Sequence, residues 1–157
     1  MQGGNWQISG SGGAWYGYSG GADGGPFMGP DTQNRSQFYQ NLLTTPGQSY
    51  LLSFYIRGSY PAGQSPPFAM NVYWNSQQVG SYTLNVFSSD WVFESLPVVG
   101  GSSSQSVLGF SDPDPTFSAF SDVSVIAIPE PSSFALLGLG AAIAFAWVRV
   151  ESNVAAA

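Results

Sequence analysis

From Phe134 to Val148 the chain runs for fifteen residues without a charged or strongly polar side chain. Pro129-Glu130-Pro131 and two serines precede the run, and Arg149 closes it. Pro131 stands where a missing N–H costs little, and Ser132 or Ser133 can cap exposed amides, so the segment reads as a helix with marked ends. At about 1.5 Å per residue it rises to roughly 23–26 Å. That is the short limit for a hydrocarbon core of about 30 Å. The run is apolar on every face, and nothing earlier in the chain has a helical period that could receive it. A single C-terminal transmembrane helix over about 133–148 is therefore expected, rather than a buried core helix. Trp147 and Arg149 then mark an interface, with the arginine snorkelling to the cytoplasmic side.

The tail takes residues 129–157, leaving 1–128 for one domain of ordinary size. Lys and Arg total 3 against 9 Asp and Glu, with no histidine and a formal net charge of −6. The cations are Arg35, Arg57 and Arg149, too few and too scattered to neutralise phosphates, so no nucleic-acid partner is expected. Cysteine is absent, which rules out a disulfide framework. Without His or Cys there is no Ser-His-Asp or Cys-His nucleophile and no usual zinc site. Carboxylate pairs remain, as in glycosidases: Asp112 with Asp114, or Asp90 with Glu94. The first pair alternates with Pro113 and Pro115 in a turn sequence, and the second flanks a strand on its solvent side. A non-enzymatic protein is expected. Met1 to Asn5 has neither the basic start nor the apolar stretch of a signal peptide, so either the true start lies upstream or the protein is not exported by the common route.

Short strand-like segments separated by turn signals fill the domain. Asn5–Ser9 and Ala14–Tyr18 have extended character, and Ser19–Pro30, rich in Gly, Pro and Asp, reads as a loop. Ser36–Leu43 ends at Pro46-Gly47, which suits a type II turn and predicts a hairpin partner. In Ser49–Arg57, Tyr50, Leu52, Phe54 and Ile56 share one face, and Leu51, Ser53, Tyr55 and Arg57 the other. Phe68, Met70, Val72 and Trp74 alternate with Ala69, Asn71 and Tyr73, and Asn75-Ser76 turns the chain into the next strand. Trp91–Leu96, Gln105–Phe110 and Phe120–Ala127 complete about nine strands. The pattern is all-β and reads as an antiparallel β-sandwich.

The order Pro-Glu-Pro, short apolar helix, arginine, chain end resembles the PEP-CTERM sorting signal of Gram-negative bacteria, also catalogued as the C-terminal motif of ice-binding proteins. The resemblance rests on Pro129, Glu130, Pro131 and Arg149. It implies an exported protein held in the inner membrane by its helix. An exosortase-type processing enzyme then cuts it near Pro-Glu-Pro, releasing it to the cell surface or extracellular matrix. The family ends in a basic cluster, whereas here Arg149 stands alone and Glu151 follows.

Residues 40–50, Asn71-Val72-Tyr73-Trp74-Asn75, Asp114-Pro115-Thr116-Phe117 and Ser121 to Val125 resemble, in order, the jelly-roll domain that often precedes such a tail. That domain is similar to galactose-binding-like carbohydrate-binding modules. Asn5-Trp6 would match the Gly-Trp after the family's first strand, and that first strand is missing, which again implies a start placed too late. The resemblance also implies a structural calcium with Asp122 among its ligands. Polysaccharide contact is expected of flat aromatics, which stack on sugar rings: Trp15, Tyr16, Tyr18, Tyr60 and Tyr73. Trp6, Trp74 and Trp91 fall within strand-like alternation and are assigned to the core. The leading functional expectation is an envelope or exopolysaccharide protein with a structural or adhesive sandwich. Carbohydrate binding is the alternative. Ice binding has only the tail's label behind it, since Thr32, Thr44, Thr45, Thr83 and Thr116 show no repeat.

Overall fold

A computed structural model describes residues 6–9, 14–17, 19–30, 37–58, 67–84, 90–112 and 118–129. Ten strands follow one another: β1 (Gln7–Ser9), β2 (Ala14–Gly17), β3 (Phe27–Pro30), β4 (Gln37–Leu43), β5 (Ser49–Gly58), β6 (Phe68–Trp74), β7 (Gln77–Leu84), β8 (Val92–Val99), β9 (Gln105–Ser111) and β10 (Ser118–Ala127). They form two five-stranded sheets, in the orders β1-β4-β9-β6-β7 and β2-β3-β10-β5-β8. Every pairing between them is antiparallel.

The period-2 alternation of β5 and β6 decides which faces meet. Tyr50, Leu52, Phe54 and Ile56 from the second sheet, and Phe68, Met70, Val72 and Trp74 from the first, are buried as their spacing predicts. Aromatic rings join the two layers. Phe110 of β9 stacks on Phe120 of β10 at 4.3 Å, and it meets Phe54 edge-on at 5.2 Å. Phe38 adds an edge contact to Phe120 at 5.6 Å. Trp6 is half-buried against both Phe110 and Phe120, as a core assignment requires.

The structure corrects three local readings. Ser19–Pro30 is not all loop, because Phe27–Pro30 forms β3 between β2 and β10. Pro46-Gly47 does make the expected turn, with Gly47 at φ 74 and the Gln48 N–H donating to the Thr45 carbonyl. Its flanking strands are nevertheless not a hairpin. β4 pairs with β1 and β9, while β5 pairs with β10 and β8. The turn carries the chain from one sheet to the other, held by the Gly47 N–H on the Gly100 carbonyl and the Gly100 N–H on the Gln48 carbonyl. Turn chemistry is local, whereas the choice of partner strand is not.

Trp91 is the third correction, since it lies outside the core. Its ring stands 4.4 Å from the Arg57 guanidinium and meets Phe27 edge-on, and the Phe27 ring is itself 4.5 Å from Arg57. Its indole N–H donates to the Gly20 carbonyl at 2.9 Å. An arginine facing two adjoining rings gains cation–π attraction, and partial burial lowers the Arg57 pKa. This stack pins loop 19–26 to the outer face of the second sheet.

Candidate functional site

The outer face of the first sheet is ordered by register. Gly109 pairs with Tyr39 on one side and with Tyr73 on the other. Gln7 pairs with Tyr39, and Gln78 with Tyr73. One row across all five strands therefore reads Gln7, Tyr39, Gly109, Tyr73, Gln78. The next row outward, set by the same pairings, reads Ser9, Gln37, Ser111, Asn71, Ser81. Phe38, Val72, Leu108 and Phe110 alternate with these positions and are buried on the other side.

Gly109 makes the relief. It lacks a side chain between two tyrosines that stand two strand spacings, or about 10 Å, apart, so the rings become the walls of a groove in which the Gln37 amide lies over the Gly109 backbone. The resulting cleft holds about 360 Å³ and is lined by Gln37, Tyr39, Tyr73, Ser76, Val107, Gly109 and Ser111. No charged residue lines it. Neighbouring loops hold Tyr73 in place: the Asn75 Oδ1 accepts the Val107 N–H at 2.9 Å, and the Asn75 N–H donates to the Val107 carbonyl at 2.8 Å. Asn75 and Ser76 both have positive φ, 51 and 66, as a two-residue hairpin turn between β6 and β7 requires.

Of the five aromatics expected to contact sugar, Tyr73 lies in the cleft. Trp15 and Tyr16 belong to β2, an outer strand of the other sheet, and so are not brought together with Tyr73. Tyr18 and Tyr60 lie outside the described residues. Tyr39 was missed, because its only sequence signal is a tyrosine on the polar side of an alternating strand.

Asp122 sits at a β-bulge of β10, where the pairing with β5 shifts between Ser121 and Ser124. Its φ of 50 marks the bulge. Its Oδ2 accepts the Ser121 hydroxyl at 2.8 Å and the Asp23 N–H at 3.3 Å. The Ala22 N–H donates to the Ser121 Oγ at 3.1 Å. Asp23 in turn accepts the Gly25 N–H at 2.7 Å. That amide holds the Asp23 carboxyl below its ordinary range, and Asp122 contributes in the same direction. Folding thus lowers this pKa, so the stabilisation is complete above the unfolded value and is lost as pH falls through the folded one. Acidification below about pH 4 should loosen loop 19–26. The Trp91 indole N–H resonance should report it, and Asp23→Asn should remove the acid step.

A Ca²⁺ ion takes six to eight oxygens. Among the described residues no group of three or more acidic, His or Cys side chains could hold a metal. The two aspartates alone do not complete such a shell.

Three of the four candidate carboxylates, Asp90, Glu94 and Asp112, lie among the described residues. Asp112 is buried and binds both the N–H and the hydroxyl of Ser118, at 3.3 and 3.1 Å, tying the end of β9 to the start of β10. Asp114 lies outside the described residues. Glu94 corrects its assignment to the solvent side: it pairs with Phe54, facing inward at the sheet edge. There burial, and then Glu94 itself, raise the Tyr82 phenol.

The model of the PEP-CTERM protein-sorting motif matches residues 127–150. The chain carries a PEP-CTERM sorting motif. Among the described residues no helix is long and apolar enough to cross a membrane. The PEP-CTERM helix expected over about 133–148 lies outside them, as do Glu130, Pro131 and Arg149. Solved structures similar to the chain share its sandwich. The CBM22-1 xylan-binding domain of Paenibacillus barcinonensis Xyn10C has a TM-score of 0.58 at 13% identity, over 80% of this chain and 86% of that one. A CBM4 structure has a TM-score of 0.53 at 18% identity, over 78% and 86%. The enzymatically active domain of bacteriophage CBA120 tailspike protein 4 has a TM-score of 0.55 at 14% identity, over 79% of this chain but 19% of that one. At these identities the likeness establishes the fold, a jelly-roll sandwich shared with carbohydrate-binding modules. No curated protein sequence matches the chain.

Proposed function

We propose that the chain is an exported, non-enzymatic protein, and that the outer face of its first sheet grips a neutral polysaccharide. The PEP-CTERM tail delivers it to the cell envelope or exopolysaccharide matrix. One observation carries the binding assignment: two tyrosines flank a bare glycine, beside a row made only of hydroxyls and amides. Aromatic walls stack on sugar rings, and Gln37, Ser111 and Asn71 can exchange hydrogen bonds with their hydroxyls. An uncharged lining favours a neutral glycan over a uronate or a phosphate. The structural or adhesive role follows from that grip, since a protein bound to matrix glycan adheres to it. The two rows contain no threonine ladder, so ice binding gains no support from this face. On a glycan array the wild type should bind neutral polysaccharides. Tyr73→Ala should lose that binding and Trp15→Ala should keep it; equal loss in both would move the site away from the cleft.

The tail's role is to hold the chain in the inner membrane until an exosortase-type enzyme cuts it. Pro131 restricts Glu130 to extended geometry, which a processing enzyme can grip. In a host with such an enzyme, Glu130→Ala or Pro131→Ala should leave an uncut, membrane-retained form of higher mass. Normal processing of both variants would reduce the tail to an anchor. We also propose calcium at Asp122, with Asp23 as a second carboxylate and backbone carbonyls and water completing the shell. Calcium should then raise the unfolding temperature of the wild type and not that of Asp122→Asn; no rise in the wild type would remove the ion.

A further inference from the structure

Among the described residues one end of the sandwich carries no charged side chain. The turn after β4, the start of β5, the β6–β7 hairpin, the β8–β9 connection and the end of β10 meet there. Hydrogen bonds join Gly47 to Gly100, Thr44 to Ser104 and Asn75 to Val107, and the Trp74 indole N–H donates to the Val99 carbonyl. Residues 41–52, 71–81, 95–107 and 123–129 contain no Asp, Glu, Lys or Arg. Asp23, Arg57, Asp90, Glu94, Asp112 and Asp122 all lie outside these segments.

The same end gathers exposed aliphatic side chains. Leu43 is 84% exposed, Ile126 62%, Val99 53%, Leu51 41% and Val79 36%. They are five of the nine exposed large hydrophobics among the described residues. Ile126 and Pro97 both pair with Leu51, so this surface continues across β10, β5 and β8. Scattered apolar residues on a surface need no explanation. Their concentration at a pole without charge does.

β10 ends at this pole, and the chain passes from Ala127 into the PEP-CTERM motif. Six residues separate Ala127 from Phe134, and the seven steps between the two, at about 3.3–3.6 Å each, reach at most about 25 Å. The headgroup layer on each side of a bilayer is only about 5–7 Å deep.

We propose that this end of the sandwich rests on the lipid bilayer while the tail is uncut, its aliphatic side chains entering the headgroup region. The inference rests on the tail spanning the membrane. A net charge of −6 would be repelled by an anionic leaflet, and the pole without charge is the part that can approach one. The contact uses no Lys or Arg, so it is insensitive to salt. It is weak by itself and gains from the tether, which keeps it at high local concentration.

The chain has no cysteine, so single labels are unique. Leu51→Cys, Val99→Cys, Asp90→Cys and Ala144→Cys are each labelled with an environment-sensitive dye in the full chain. Each is then inserted into phosphatidylcholine–phosphatidylglycerol vesicles carrying headgroup nitroxides. Labels at 51 and 99 should shift to the blue and be quenched, the label at 90 should stay aqueous, and the label at 144 should report the hydrocarbon. A buried label at 144 with labels at 51 and 99 matching the one at 90 overturns the proposal and leaves the span standing. An aqueous label at 144 overturns the span and the proposal with it. A blue shift at 51 and 99 that grows with protein-to-lipid ratio and resists nitroxide assigns the pole to a second copy, and overturns the bilayer contact.

Discussion

Phe110→Ala should destabilise the sandwich by about 3–5 kcal/mol, the usual cost of truncating a fully buried phenylalanine. Phe110 is the ring on which the two layers converge: it stacks on Phe120, meets Phe54 edge-on and packs against Trp6. No single neighbour can collapse into the space that all three rings face. Phe54→Ala should fall in the same range, since Phe54 is also fully buried and contacts Tyr82 as well as Phe110. Phe93 is the control. It is 54% exposed and pairs with Tyr55 on the outer face, so Phe93→Ala should cost about 1 kcal/mol, the worth of a ring pair. Urea unfolding of the three variants measures the difference. Equal losses would mean that β5 and β8 are buried on both faces.

The second large effect is on binding. Removing Tyr39 and Tyr73 together should abolish measurable affinity for the neutral glycan, because truncating a central aromatic anchor costs about 2 kcal/mol or more. Each loss is then roughly thirtyfold or more. Both rings project from the solvent side of well-paired strands, so unfolding midpoints should move little. Gly109→Val gives an independent route to the same outcome. A Cβ there would come within 2.8 Å of the Gln37 Nε2, the far end of a flexible side chain. The neighbour can yield, and the new side chain then occupies the groove floor. Calorimetric titration should show the glycan lost while the fold remains. Undiminished affinity in Gly109→Val would place the ligand elsewhere.

What the residues revealed in advance follows a physical divide. Alternation in β5 and β6 marks the faces because a half-buried strand must place its apolar side chains on one side. It identified Phe54 as core and left Tyr73 outside. The turn residues Pro46-Gly47 and Asn75-Ser76 also did locally what their types demand. Pairing was harder, since nothing in the turn after β4 says that β5 joins the other sheet. β3 was hidden by Gly29 and Pro30, poor strand formers that sit where β2 and β10 can still pair with it. The cleft was half legible for the same reason. Tyr39 and Tyr73 become a site only through Gly109, a distant residue whose importance is its missing side chain.

The most direct test is a backbone NMR footprint of the full chain in detergent, titrated with the neutral polysaccharide that binds best on the array. Shifts confined to Gln37, Tyr39, Asn71, Tyr73, Val107, Gly109 and Ser111 are the predicted result. Shifts centred on β2 or on loop 19–26, with the Tyr39–Gly109–Tyr73 row unmoved, would contradict the assignment.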